Sequence, residues 1–235
     1  MKRMAPREQV KSDVFESRVS EKDLRWFRRR FHIPADYTLS VTDKKAHESY
    51  TGFEKLVVYM DQMEGGLRFP LDPFVKSFLN RYNIAPGQLH PNSYRILTGF
   101  LELMHKEGVD PTLDMLRYVY SLTKKKGKLA FSFSAFPSFN IFSRLKDLKK
   151  SWRHMYFIVE HKSDFSDIRR LWVDECQKIR RPRLPSVHEA LMNKLHEDFL
   201  AKRTSAYNCS SRYIQRVYPW SRVSNGESCP SKGIF

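Results

Sequence analysis

Glycine is scarce in this chain, at 9 of 235 residues. That poverty argues against a Gly-rich sandwich and against a loop whose backbone amides wrap phosphate. No G-x-x-x-x-G-K-[ST] stretch occurs, and "KKKGKLAF" lacks the needed glycine spacing. Cysteine is rarer still: Cys176, Cys209 and Cys229 are odd in number, far apart and without a C-x-x-C pair. A disulfide framework and a zinc finger are both disfavoured, and a reducing compartment is expected. No stretch approaches the ~20 apolar residues of a membrane span. Met1 to Val10 is basic but lacks the apolar run of a secretory signal. The expected location is therefore nucleus or cytoplasm, with no secretion and no membrane partner. Acidic residues are also in deficit, 26 against 42 lysines and arginines, for a formal charge of +16. An excess of that size attracts polyanions, nucleic acid first among them.

Apolar residues at 41% and aromatics at 14% suffice for a real core. Residues 1–19 are polar and aperiodic and read as a loose tail. Ser20 and Asp23 form a capping-box-like start with Asp in place of Glu. Leu24, Phe27 and Phe31 then mark one apolar helix face, which should stop before Pro34. "FEKLVVYMDQM" is expected to be a second helix, ended by Gly65-Gly66. Pro70 and Pro73 stand at the start of another, with Phe74, Phe78 and Tyr82 every four residues. Asn92 or Ser93 is the expected cap of a helix carrying Leu97, Phe100, Leu101 and Met104. Gly99 inside it points to a close helix crossing, and Gly108 closes it. Pro111 opens the next helix.

At Leu129 the period changes. Leu129, Phe131 and Phe133 alternate with Ala130, Ser132 and Ser134, the spacing of a half-buried strand. Phe139 to Phe142 and "MYFIVE" (155–160) are expected to add extended pieces. Two helices, Asp164 to Arg180 and Ser186 to Arg203, follow. The fold class read from this pattern is α+β, predominantly helical, with a small antiparallel sheet around residues 129–160. Three segments result: a tail over 1–19, one domain over 20–204, and a flexible or degenerate tail over 205–235.

The rings near the centre pose the main functional question. Alternating aromatics flanked by lysines suit a nucleic-acid-binding sheet, where exposed rings stack bases. Here the alternate positions are small (Ala130, Ser132, Ser134), and an aliphatic residue, Leu129, shares the aromatic side. That composition favours burial, worth about 1.5–3 kcal/mol per ring.

Other site chemistry is sparse. No H-E-x-x-H, zinc-spaced C/H pair or G-x-S-x-G elbow is found, although His188 and His196 lie about two helical turns apart. Tyr59-Met60-Asp61-Gln62 resembles a Y-x-D-D box but lacks its second aspartate. Strand transfer needs three carboxylates converging on two metals, and Asp147, Asp164 and Asp167 fall outside the expected strands. No catalytic residue, metal ligand or cofactor is assigned. What remains is basic. The candidate nucleic-acid contacts are Arg28, Arg29 and Arg30; Lys124, Lys125, Lys126 and Lys128; Lys149, Lys150 and Arg153; and Arg180, Arg181 and Arg183. Such side chains neutralise phosphates without reading sequence, provided their clusters share a face.

"GGLRFPLDPFVKSFLNRYNIAPGQLHPNSYRILTGFLELMHKEGVDPTLDMLRYVYSL" resembles the gypsy-type transposase domain of plant retroelement-derived proteins. The resemblance rests on Ile33-Pro34, the Gly66-to-Phe74 segment, Gln88-Leu89 with Pro91, the internal aromatic Phe100, and Trp152 to Val159. It spans roughly 20–200, and its motifs are packing motifs. It implies a retrotransposon-derived module, nucleic-acid-associated or assembling with protein. A protein-interaction domain and a fragment of a metal-dependent transposase are the alternatives.

Overall fold

The computed structural model describes residues 15–43, 54–124, 130–137, 139–142, 145, 148, 150–201 and 206–217. Among them the chain forms seven α-helices and two small antiparallel sheets, an α+β arrangement.

Helix α1 (Glu21–Phe31) begins as the sequence predicts. Ser20 accepts from Asp23 N, and the Asp23 carboxylate receives Ser20 N at 2.8 Å. Leu24, Phe27 and Phe31 are buried, with Trp26 beside them. The helix ends at His32 in the left-handed region, just before Ile33-Pro34. Strand β1 (Thr38–Ser40) follows.

"FEKLVVYMDQM" is not one helix. It splits into β2 (Lys55–Tyr59) and a five-residue helix α2 (Met60–Glu64). Val57 and Val58 are both buried, so the strand is covered on two faces and shows no alternation to read. Its partner is β5 (Tyr156–Glu160), about a hundred residues away, in the register Lys55–Glu160 to Tyr59–Tyr156. β5 also pairs with β1, so the sheet order is β1-β5-β2. Gly66 closes the α2 turn at φ 112°, where a Cβ would meet Thr98 Oγ1 at 2.6 Å.

Helix α3 (Pro73–Tyr82) has Pro73 in its first turn and Asp72 as its cap, with Oδ1 accepting from Phe74 N at 2.7 Å. Helix α4 (Pro91–Lys106) starts ahead of the expected cap: His90, not Asn92 or Ser93, holds that place. Its middle is buried all round, from Ser93 to Leu101. Helix α5 (Leu113–Val119), capped by Thr112, runs straight into β3 (Tyr120–Lys124). β3 and β4 (Phe131–Ala135) form a separate two-stranded sheet. The strands near residues 129–160 therefore belong to two sheets, and Phe139 to Phe142 adds no strand to either.

Two later expectations need correction. Asp164 to Arg180 is an irregular strap, not a helix. Its apolar residues mimic a helical period, but its polar groups are satisfied elsewhere. Asn80 Nδ2 donates to Asp167 O at 2.8 Å, Gln88 Nε2 to Val173 O at 2.7 Å, and Gln177 N to Tyr82 O at 3.0 Å. Asp164 itself accepts from Tyr37 Oη and Leu71 N and pairs with Lys76. After α6 (Ser186–Leu200), the stretch from 205, expected as a flexible or degenerate tail, carries helix α7 (Ala206–Val217). α7 lies along α4, burying Cys209, Ser210 and Tyr213. Ser210 and Thr98 share a buried hydroxyl contact at 2.7 Å. Ala206, Cys209, Tyr213 and Val217 do recur at i, i+3, i+7 and i+11, but only Ala206 and Val217 among them are aliphatic, so the face is easily passed over in the sequence.

Candidate nucleic-acid interface

The central rings face the interior. Phe131 is wholly buried and Phe142 nearly so. Phe133 packs on Phe78 (centroids 5.1 Å apart) and Tyr120 (5.6 Å). Sheet β3-β4 is therefore no open stacking platform. Ser134, by contrast, is exposed, as its place opposite the rings requires.

The basic residues fall in different places. On α1, Arg29 is exposed, while Arg28 donates to the Pro34 carbonyl at 2.6 Å and to Tyr37 O at 2.5 Å. Arg28 thus closes the 33–37 loop. Arg30 lies over the Trp26 ring, 5.8 Å from its centroid. Arg153 lies between Phe15 (5.7 Å) and Trp152 (5.6 Å). Lys125, Lys126, Lys128 and Lys149 lie outside the described residues, as do Leu129, Asp147 and the side chain of Lys150.

Lys124 and the Arg180–Arg183 segment are each fastened, Lys124 to the strap and the segment to α5. Lys124 Nζ donates to Asp174 O at 2.5 Å, fastening the end of β3 to the strap. Lys124 and Lys178 both bear on Cys176, whose thiol is nevertheless pushed up by burial and by Glu175. Further along, Arg117 Nη2 donates to Arg180 O at 2.7 Å while Asp114 holds the same guanidinium at 2.6 Å. Arg181 Nε donates to Tyr118 O at 2.7 Å. Its guanidinium covers three rings: Tyr118 at 4.2 Å, Phe136 at 4.8 Å and Phe139 at 5.5 Å. Phe139 continues the stack onto His196, 4.7 Å away and tilted by 17°. Tyr118 Oη donates to Glu189, which raises the phenol's pKa. Arg180, Arg181 and Arg183 are exposed, as are Lys124 and Lys178. The lysine-loop end is thus fastened to the strap at Asp174, and the arginine segment to α5 at Arg117 and Tyr118. In the sequence these residues stand as separate runs. The aromatic partners of Arg181 give no spacing signal, since they come from α5 and the 136–139 turn, with α6 adding His196.

Carboxylate chemistry is placed otherwise. Among the described residues no group of three His, Cys, Asp or Glu side chains is positioned to hold a metal ion. Tyr59-Met60-Asp61-Gln62 straddles the β2–α2 junction. Gln62 there accepts from Tyr59 N at 3.0 Å and donates to Pro86 O and Leu89 O, a structural tie. Among the described residues no helix is long and apolar enough to cross a membrane.

The buried middle of the chain carries the kinship. Residues 57–124 match the family model described as "Putative gypsy type transposon". The matched span runs from β2 to the last residue of β3, through α2, α3, α4 and α5. It agrees with the gypsy-type resemblance seen in the sequence, over a shorter stretch than 20–200, and supports a retroelement-derived chain. No curated protein and no solved structure matches the chain.

Proposed function

We propose that this chain is a non-catalytic, retroelement-derived module that associates with nucleic acid through its basic surface. The observation that supports the reading is a run of exposed cations, Lys178, Arg180, Arg181 and Arg183, with exposed Lys124 fastened to the same strap at Asp174. Exposed cations on one surface act together, because each released counterion adds to the same binding equilibrium. The net charge of +16 favours the same class of partner. Binding to a random-sequence duplex and to a single strand, measured at about 50 and about 200 mM salt, tests it. The expected result is affinity that falls steeply with salt; no binding at low salt removes the reading.

A protein partner is the second reading, and one observation favours it. A pocket of about 390 Å³ lies between α1 and β1, lined by Glu21, Leu24, Arg25, Arg28, Arg29 and Leu39. An aliphatic floor with an arginine rim suits an acidic peptide. Retention of an acidic, leucine-containing peptide by the chain, lost in Leu39→Asp, supports this reading.

A further inference from the structure

We propose that the arginine strap and the rings beneath it form a docking surface for a single-stranded polynucleotide, with Arg181 as the stacking residue. This inference rests on the nucleic-acid reading above and narrows it to one strand form and one face.

Three observations carry it. First, Arg181 is a planar cation laid over an aromatic triad, held in place by its own bond to Tyr118 O. Among these rings Arg181 is still exposed to solvent, which leaves part of its guanidinium to a further π system. An unpaired base is such a partner, and it extends a stack that already runs through Phe139 to His196. Second, the flanking charges are exposed and the backbone that carries them is fixed. Arg117 clamps the Arg180 carbonyl, and Pro182 and Pro185 restrict the chain on either side of Arg183. The cations thus meet phosphates with little ordering cost. Third, the arginine segment lies fastened against α5 rather than on a free helix, with rings of α5 and the 136–139 turn beside Arg181. Duplex DNA hides its base planes, so stacking is open only to a single strand. The surface meets base planes and phosphates, so ribose and deoxyribose oligomers should bind alike.

The test uses the full chain and fluorescence anisotropy with oligo(U), oligo(dU) and a duplex, each about 15 nucleotides or base pairs long. Wild type is expected to prefer both single strands over the duplex, with the two single strands within about threefold. Arg180→Gln with Arg183→Gln should weaken single-strand binding and lower the slope of log K against log salt by roughly 1.4, two contacts at about 0.7 each. Arg181→Lys keeps the charge and loses the plane. It should weaken single-strand binding about fivefold or more and leave the duplex nearly unchanged. Lys106→Gln with Lys162→Gln, exposed cations that belong to neither candidate site, serves as the control and should change neither.

Salt-dependent binding by wild type that the strap variants leave intact overturns this inference and spares the nucleic-acid reading. A preference for duplex, or an Arg181→Lys effect equal on both forms, does the same. No salt-dependent binding to any of the three oligomers overturns both. Circular dichroism of each variant separates lost contact from lost fold, and the exposed glutamine pair decides between the outcomes even where Arg181→Lys disturbs the strap.

Discussion

Tyr213 donates its hydroxyl to Oδ2 of Asp72, the residue whose Oδ1 caps helix α3. One carboxylate therefore joins two residues that lie 141 positions apart in the chain. It fastens α7 to the N-terminus of α3 while Leu101 packs on the Tyr213 ring. Removing the hydroxyl leaves the cap intact, whereas removing the carboxylate disturbs both. Tyr213→Phe is expected to cost about 1 kcal/mol and Asp72→Ala about 1–3 kcal/mol. In a double-mutant cycle by urea denaturation the losses should fall short of additive. Full additivity means the contact contributes nothing.

Gly66 stands where a side chain has neither a permitted backbone angle nor room. Its φ is 112°, and an added Cβ would sit 2.6 Å from Thr98 Oγ1. Gly66→Ala should therefore lose about 2–4 kcal/mol, read as a lowered denaturation midpoint. It should also loosen α7, because Thr98 carries the contact to Ser210. Faster proteolysis after Ala201 checks the second effect.

Phe131 tests which way the central rings work. It is wholly buried, so Phe131→Ala should cost about 3–5 kcal/mol. Oligonucleotide affinity per folded molecule should stay within about twofold of wild type, since no ring of β4 touches a ligand in this arrangement. A large affinity loss with unchanged stability would contradict the buried assignment.

Alkaline pH should weaken the fold. Tyr94 is buried and its hydroxyl donates to Pro86 O at 3.0 Å; burial raises its pKa above the ordinary 10.0. Burial lowers that of Lys76, but hydrogen bonds and charge from Asp164 and Asp167 outweigh it and hold the ammonium above its ordinary 10.5. Both groups keep their proton longer folded than unfolded. Their contribution is complete below about pH 10 and fades as pH rises through the folded values. The urea midpoint should thus stay level from about pH 7 to 9 and fall above about pH 10. Tyr94→Phe, though less stable at neutral pH, should show a shallower alkaline fall; an identical slope rules Tyr94 out as a source.

The elements legible in the sequence are those whose signals are local. Ser20 with Asp23 announces α1, Pro73 opens α3, and Gly108 at φ 67° follows α4. What escapes depends on distant partners. Val57 and Val58 are β2 because β5 lies alongside, and without it the same residues read as a helix. Asp164 to Arg180 looks helical until Asn80, Gln88 and Tyr82 take its polar groups. The site divides the same way. Arg180, Arg181 and Arg183 are visible as charge, but the rings under Arg181 come from separate segments and no spacing joins them.

β5 lies between β1 and β2 as their shared neighbour in the sheet. During synthesis, residues 38–40 and 55–59 leave the ribosome long before Tyr156 exists. Until then two strand edges wait unzipped, with buried-type residues such as Val57 and Val58 open to strangers. A nascent chain of this design benefits from a holding chaperone until Tyr156 to Glu160 emerges. Any piece cut to 57–124 keeps most of β2 but loses the strand that closes it.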